Sequence, residues 1–325
     1  MRTFVITLIV ALLCGMVLTG LAVVWGGPKP IAALDSINAP FKNLRMDNLP
    51  ALTRYKARDG QTLAYRHYDA DFTAMPSTAG RIVLVHGSSA SSQSMHPVAQ
   101  ALALAGFTVD TLDIRGHGES GPHGDIAYIG QLEDDLADFM TAAPHAGHNT
   151  LLGFSAGGGF ALRFAGGSQQ QRFDRYVLLS PYLRHDAPTA KPMNDSWASV
   201  GIPRIIGLHL LNFLGISHWN DLRVVRFALN EVARKRLTDA YSYNLAINFA
   251  PHNDYQADIA SAHAPITIVA GHDDELFYAD RFKATFAQAG KTVNVTLVPK
   301  LGHISLTLEP TGVQAIVSAC LSPEQ

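Results

Sequence analysis

The residue best placed for chemistry is a serine between two glycines, in residues 153–157 (Gly-Phe-Ser-Ala-Gly). Residues 149–152 before it are typical of the end of a buried strand, and residues 158–165 after it of the first turns of a helix. A serine at so tight a strand-to-helix bend has a strained backbone, and its hydroxyl is exposed at the edge of the sheet. A β-carbon at either flanking glycine would collide with the neighbouring strand or helix. The pattern therefore predicts that Ser155 is a nucleophile.

The surrounding sequence predicts strands that alternate with helices. Short apolar, β-branched runs that predict strands occur at residues 81–86, 107–113, 151–154, 176–179, 266–270 and 293–298. Helical periodicity separates several of them, as at residues 129–142. Asp59-Gly60, between the extended runs 52–57 and 62–68, predicts a hairpin. Alternation on this scale indicates an α/β fold with a mostly parallel sheet and helices on both faces.

One long segment interrupts this alternation. Residues 184–262 lie between two core strands and are far too many for an ordinary loop. They include a strongly apolar stretch at 202–214, a helix-like stretch at 222–237 and an aromatic patch. We interpret the segment as a helical cap over the end of the sheet that carries the serine. The α/β core then comprises residues 51–183 and 263–325.

The N-terminal region is the other informative part of the chain. Residues 4–25 carry no charge and are rich in Leu, Val and Ile. A helix of this length crosses a bilayer core of about 30 Å, whereas the apolar part of a signal peptide has only about 7–15 residues. We expect residues 1–26 to be a retained transmembrane anchor, with a cleaved signal segment as the alternative. The proline-containing residues 27–50 are expected to be a linker.

The composition excludes several classes of function. Apolar residues make up 47% of the 325 residues and charged residues 16%, so a large core is expected and disorder is not. The net charge is −2 and there is no basic run, which argues against a nucleic-acid partner. Cys14 lies in the apolar N-terminal run, so a structural disulfide with Cys320 is not expected. The histidines and cysteines do not have the spacing of metal ligands. No phosphate-binding glycine motif follows a strand. Neither a metal nor another cofactor is therefore indicated.

Four motifs, in order, give the chain a resemblance to the α/β-hydrolase family over about residues 52–321. His-Gly-Ser at 86–88 resembles the family's turn after the third strand, and Asp-Ile-Arg-Gly-His-Gly-Glu-Ser at 113–120 its loop after the fourth. Residues 153–157 resemble its nucleophile elbow, and Gly-His-Asp-Asp at 271–274 and Gly-His at 302–303 follow in the family's order of serine, acid and histidine. The long cap and the Arg-Gly-His-Gly loop are most similar to monoacylglycerol-lipase and lysophospholipase-like members.

The resemblance implies a role for each of these residues. Ser155 needs a base to take its proton, and the implied base is His303, since imidazole is the side chain best suited to proton transfer near neutral pH. An acid must orient that imidazole, and the family's spacing favours Asp274, with Asp273 as the alternative. The amides of Ser88 and Ala156 are the implied oxyanion-hole donors, since backbone N–H groups must face the developing negative charge.

The implied function is a serine hydrolase that cleaves a carboxylic ester through an acyl-enzyme. The apolar cap and the anchor favour a lipid-like small-molecule substrate, such as a monoacylglycerol or a lysophospholipid. An acyltransferase, thioesterase, peptidase, amidase or cofactor-free perhydrolase would use the same three residues, and a non-catalytic binding protein of this fold is a further alternative. We expect a single-pass membrane protein with its catalytic domain on the non-cytoplasmic side, or a secreted protein after signal cleavage.

Overall fold

The structure is a computed structural model that describes residues 1–34, 46–71, 80–192 and 197–322. Residues 35–45, which belong to the expected linker, lie outside the described residues.

The described strands follow the alternation that the sequence predicts. They are β1 (Leu52–Lys56), β2 (Thr62–Tyr68), β3 (Arg81–Val85), β4 (Thr108–Asp113), β5 (Asn149–Phe154), β6 (Arg175–Leu179), β7 (Ala198–Val200), β8 (Arg223–Phe227), β9 (Ala240–Ser242), β10 (Ile266–Gly271) and β11 (Asn294–Val298). The described α-helices are α1 (Arg2–Trp25), α2 (His96–Leu104), α3 (Gln131–Ala142), α4 (Ala156–Gly166), α5 (Ile202–Phe213), α6 (Glu231–Arg234), α7 (Tyr243–Asn248), α8 (Tyr255–Ser261), α9 (Phe282–Gln288), α10 (Ser305–Leu308) and α11 (Pro310–Leu321).

Eight of the described strands form one sheet in the order β1-β2-β4-β3-β5-β6-β10-β11. β2 pairs antiparallel with both β1 and β4, and the other neighbours are parallel. The mostly parallel sheet predicted from the sequence is therefore confirmed, including the hairpin at its edge. Because parallel strands end at the same edge, the loops after β3, β5, β10 and β11 meet there.

Apolar side chains cover both faces of this sheet. Along β3, Val83 and Val85 pack with α3, α4 and α9 on one face, while Ile82 and Leu84 pack with α2 and α11 on the other. This alternation follows from the two-residue period of a strand. Buried on both faces, the central strands place the ends of β5 and β10 at fixed positions.

The segment between β6 and β10 is less helical than the sequence suggested. α5 falls within the apolar stretch 202–214, as expected, but β7, β8 and β9 form a second, antiparallel sheet. The helix predicted over 222–237 is wrong: β8 and the short helix α6 occupy this stretch. β-Branched and aromatic side chains in β8, among them Val224 and Phe227, favour an extended strand once partners are available on both sides.

α1 projects from this domain and is long and apolar enough to cross a membrane by length and composition. Its side chains are exposed along most of its length, and only Val23 is buried among its residues. It contacts the rest of the chain mainly through α5.

Candidate active site

Ser155 lies at the bend between β5 and α4. Its φ of 55° is in the left-handed region, which few residues other than glycine adopt. Its N–H donates a 2.9 Å hydrogen bond to the Leu179 carbonyl, which fixes the bend against β6. A β-carbon at Gly153 would lie 2.1 Å from the Gly157 carbonyl oxygen, and one at Gly157 would lie 2.3 Å from the His86 carbonyl oxygen. Both positions therefore require glycine.

The structure brings together Ser155, His303 and Asp274, which the sequence separates by up to 148 positions. Ser155 Oγ lies 2.9 Å from His303 Nε2, and His303 Nδ1 lies 2.8 Å from Asp274 Oδ2. The other carboxylate oxygen of Asp274 accepts hydrogen bonds from the backbone N–H groups of Leu276 at 2.9 Å and Phe277 at 3.0 Å. The chain of hydrogen bonds has the geometry that proton transfer from a serine to a histidine needs.

Asp274 and its alternative, Asp273, have different surroundings. Asp274 is fully buried after β10 and faces His303. The Asp273 side chain is 59% exposed, and its carboxylate lies 2.7 Å from Nδ1 of the neighbouring His272. Of the two carboxylates, only that of Asp274 contacts the histidine that faces the serine.

The environment of Asp274 favours its ionised form. Burial by itself would raise the pKa of this carboxyl, but the charge and hydrogen bond of His303 and the backbone N–H donors outweigh that effect. The pKa of Asp274 is consequently lowered from its ordinary value of 3.8. An ionised carboxylate requires the proton on Nδ1 of His303, which leaves Nε2 free to accept the proton of Ser155.

Packing and one further carboxylate hold His303 in place. Its ring lies between those of Phe154 and Phe277, with centroid separations of 4.8 and 5.2 Å. Its backbone N–H donates a 2.8 Å hydrogen bond to the carboxylate of Glu275. The loop after β10 therefore contacts both the side chain and the backbone of His303.

The two predicted oxyanion donors flank the serine. Ala156 is the first residue of α4, so its N–H points out of the N-terminal end of the helix, where the helix dipole favours an anion. Ser88 follows Gly87, and a β-carbon at Gly87 would lie 3.3 Å from Ser155 Cβ. The turn after β3 is therefore packed directly against the elbow, as an oxyanion hole requires.

The segment between β6 and β10 supports this turn. Ser89, the residue after Ser88, has a left-handed φ of 67°. Its N–H donates a 2.6 Å hydrogen bond to Tyr241 Oη, and its hydroxyl donates to the Thr238 carbonyl. Thr238 N–H in turn donates to the Ser89 carbonyl at 3.0 Å. The strained turn is thus stabilised from β9 and the residues before it.

His117 continues this network inside the protein. Its Nε2 lies 2.6 Å from Tyr241 Oη and its Nδ1 lies 3.3 Å from the Arg115 carbonyl. Burial, together with the neighbouring His86, lowers the pKa of His117 well below its ordinary value. The neutral ring donates from Nδ1 to the carbonyl, since a carbonyl oxygen can only accept, and Nε2 accepts from Tyr241. His117 therefore has a bracing position beside Tyr241.

The loop after β4 is fixed by a buried charge pair and by hydrogen bonds to a buried carboxylate. Arg115 donates bidentate hydrogen bonds to Asp135 on α3, both at 2.7 Å, and also contacts Asp59 in the β1–β2 turn at 2.9 Å. Asp113 accepts the N–H groups of Ser92 and Glu119 at 2.7 and 2.9 Å. These residues therefore connect the loop after β4 with α3 and with neighbouring loops.

Sequence reasoning missed the parts of the site that come from distant segments. Within residues 184–262 the sequence marks Tyr241 only as part of the aromatic patch, and it gives no signal for Thr238 or Glu275. Their roles depend on contacts across more than a hundred residues or on the path of one loop. A motif search has no signal for either.

Within the described ranges, no group of three His, Cys, Asp or Glu side chains has the arrangement of a metal site.

Comparisons with known proteins agree with this fold. The family model described as serine aminopeptidase, S33, matches residues 76–311. A monoacylglycerol lipase of Mycolicibacterium smegmatis is 36% identical over 114 residues, which are 33% of this chain and 40% of that protein. Methylesterase 17 of Arabidopsis thaliana is 29% identical over 119 residues, 35% of this chain and 41% of the relative. The alignments thus span about two fifths of these curated relatives.

Solved structures with low sequence identity share the fold. A soluble variant of monoglyceride lipase from Saccharomyces cerevisiae, in complex with a substrate analog, has a TM-score of 0.64 at 18% identity, covering 86% of this chain and 96% of that one. The carboxylesterase CesB from Bacillus subtilis has a TM-score of 0.58 at 14% identity, covering 89% and 97%. Because the family model matches well over half of its residues, the chain belongs to the serine aminopeptidase S33 family of α/β-hydrolases, and it is similar to monoacylglycerol lipases within that fold.

Proposed function

We propose that the protein is a serine esterase that hydrolyses carboxylic esters through a covalent acyl-enzyme. The observation that carries the proposal is the continuous hydrogen-bonded chain from Ser155 Oγ through His303 to Asp274. The similarity to a monoacylglycerol lipase and a methylesterase supports ester substrates. Ester hydrolysis by this route uses these side chains, backbone N–H donors for the oxyanion, and water.

In the acylation step, Ser155 Oγ forms a bond to the ester carbonyl carbon while its proton moves to His303 Nε2. The carbonyl oxygen becomes an oxyanion facing the N–H groups of Ser88 and Ala156. His303 Nε2 then gives its proton to the leaving alcohol oxygen as the carbon–oxygen bond breaks. Asp274 remains ionised and stabilises the transient imidazolium.

In the deacylation step, water replaces the alcohol. His303 Nε2 takes a proton from the water as its oxygen attacks the acyl carbon, and the same two N–H groups face the second oxyanion. When this intermediate collapses, the proton passes to Ser155 Oγ and the carboxylic acid is released. The enzyme returns to its starting state without a cofactor.

We further propose a lipid-like acyl substrate and a location at the membrane. Residues 184–262 act as a cap over the edge of the sheet that carries Ser155, between the core segments 51–183 and 263–325. The apolar exposed helices α1 and α5 support a substrate drawn from a lipid surface. The catalytic domain then lies on the non-cytoplasmic side of the membrane, with α1 as its anchor.

The test is the hydrolysis of p-nitrophenyl esters of increasing chain length by the full chain in detergent micelles. Ser155→Ala is expected to lower kcat on the order of 10⁵-fold or more. Ser168→Ala, at an exposed position after α4, is the control and should keep full activity. A fluorophosphonate probe should label the wild type at Ser155. Turnover that survives Ser155→Ala would reject the catalytic assignment.

The chain length of the preferred ester tests the lipid part separately. Turnover that rises towards medium and long acyl chains supports a lipid-like substrate, and turnover confined to acetate removes that part while keeping the esterase. The description of the family model as a serine aminopeptidase makes amides the second candidate class. Aminoacyl p-nitroanilides in the same assay decide between the two classes. Ser155-dependent cleavage of these amides that is faster than cleavage of the esters would replace the ester proposal.

A further inference from the structure

The loops after β10 and β11 are hydrogen-bonded to each other through their backbones. The N–H of His272 donates to the Val298 carbonyl at 2.9 Å, where the two strands end. One residue further along, the N–H of Asp273 donates to the Leu301 carbonyl at 3.0 Å. The backbones of the two loops therefore stay together up to a point two residues before His303.

The side chain of Glu275 extends this connection to His303 itself. Its carboxylate accepts the backbone N–H of His303 at 2.8 Å, while the carboxylate of Asp274 holds the ring of the same residue through Nδ1. His303 is buried, so its N–H needs a partner within the protein. Two consecutive residues of one loop therefore contact His303 at two points. One contact fixes the main chain and the other fixes the ring.

Gly302 leaves the space that this carboxylate occupies. A β-carbon at Gly302 would lie 2.5 Å from Oε2 of Glu275, whereas the nearest atom of another residue, the Asp273 carbonyl oxygen, would be 3.8 Å away at an ordinary contact distance. The backbone of Gly302 lies outside the left-handed region, so its conformation does not require glycine. A methyl group at this position therefore has one severe clash, and the clash is with Glu275.

We infer that Glu275 is a positioning residue, which holds the backbone of His303 so that its Nε2 stays 2.9 Å from Ser155 Oγ. The inference rests on the proposed function, because His303 is the base of that reaction. Each proton transfer requires Nε2 at hydrogen-bonding distance from the reacting oxygen, so a small displacement of the backbone slows every step. Glu275 is exposed and its charge is screened by water, so it acts as a hydrogen-bond acceptor.

Steady-state kinetics of the full chain in detergent micelles, on one p-nitrophenyl ester, test this role. Glu275→Ala is expected to lower kcat about tenfold and to leave KM within about twofold of the wild type. Glu275→Gln keeps an acceptor oxygen and should restore kcat to within about threefold of the wild type. Asp273→Ala removes an exposed carboxylate of the same loop and is the matched control. Titration with a fluorophosphonate counts the active sites, so that kcat refers to folded enzyme.

A double-mutant cycle with Gly302→Ala tests whether the effect passes through this contact. Gly302→Ala alone should lower kcat about as much as Glu275→Ala, because the methyl group displaces the carboxylate. In the Glu275→Ala chain the same methyl group has no severe clash and should lower kcat by at most about twofold more. Additive losses would overturn the inference. A wild-type kcat for Glu275→Ala, a change confined to KM, or Glu275→Gln as slow as Glu275→Ala would also overturn it.

Proton NMR of the His303 Nδ1–H gives a readout that needs no turnover. Hydrogen-bonded to Asp274, this proton should resonate downfield of the amide protons, and its absence from His303→Gln assigns it. We expect the resonance to persist in Glu275→Gln and to be lost by exchange with water in Glu275→Ala. An unchanged resonance in Glu275→Ala overturns the inference and leaves the esterase proposal intact. A wild type without Ser155-dependent turnover rejects the esterase proposal, while the resonance still tests the contact of Glu275.

Discussion

Tyr241 Oη accepts a 2.6 Å hydrogen bond from the backbone N–H of Ser89. The phenol belongs to β9, in the segment between β6 and β10, whereas the amide belongs to the turn after β3 that also carries Ser88. The same oxygen donates to His117 Nε2, so one buried hydroxyl connects three segments. The shape of the turn beside Ser155 therefore depends on a residue of the proposed cap.

This connection predicts that Tyr241→Phe lowers kcat of ester hydrolysis about tenfold or more and changes KM little. Loss of the hydroxyl leaves the buried Ser89 N–H and His117 Nε2 without partners, which costs about 1–3 kcal/mol and allows the turn to relax. The matched control is Tyr243→Phe: Tyr243 is also buried, but its hydroxyl contacts Nδ1 of His209 at 3.3 Å. Steady-state kinetics and affinity for a phosphonate or boronate transition-state analogue measure the effect. A change in KM alone would contradict a role in the oxyanion turn.

The positions of the motifs could be predicted because local signals coincide with strand ends. Short apolar runs identified β3, β5, β10 and β11, and the motif residues that follow each run meet at one edge of the sheet. Parallel pairing forces this meeting, so the order of the motifs carries three-dimensional information. The contact of Asp274, rather than Asp273, with His303 depends on the path of a single loop, and spacing alone did not decide it.

The second sheet and the packing of α1 could not be predicted from the sequence, because they depend on contacts between distant segments. β8 was predicted as part of a helix because its own pattern is ambiguous, and pairing with β7 and β9 decides the outcome. The packing of α1 on α5 through Gly207 and Arg204 likewise has no local signature. The apolar pattern at 202–214 is equally consistent with the buried core of a cap and with a surface that packs against another helix.

Substitution of the two neighbouring aspartates distinguishes their roles. Asp274→Asn is expected to reduce kcat by about 10⁴-fold, because an amide no longer favours the His303 tautomer that accepts the serine proton. Asp273→Asn, one residue away at an exposed position, should change kcat less than twofold. Steady-state kinetics on one p-nitrophenyl ester measure kcat of both variants, and circular dichroism shows whether both are folded. A large loss with Asp273→Asn and a small one with Asp274→Asn would reverse the assignment of the acid.

A buried charge cluster predicts a stability difference between two arginines. Arg115→Met leaves the buried carboxylate of Asp135 without its bidentate partner, which should lower the free energy of unfolding by about 3–5 kcal/mol. Arg54→Met removes an exposed pair with Glu119 at 3.5 Å and should cost at most about 1 kcal/mol. Urea unfolding of the two variants in the same detergent measures both. Equal losses would show that Arg115 contributes no more than a surface charge.

The lowered pKa of Asp274 predicts how its contribution to stability depends on pH. In the unfolded chain the carboxyl has its ordinary pKa near 3.8, so as the pH falls the unfolded state binds a proton before the folded state does. The stabilisation is therefore complete above about pH 5 and is lost as the pH falls through the folded pKa. We expect the stability difference between the wild type and Asp274→Asn to be larger at pH 6 than at pH 3, as measured by thermal unfolding. A stability difference between the wild type and Asp274→Asn that is independent of pH would mean that the His303 contact does not favour the carboxylate in the folded protein.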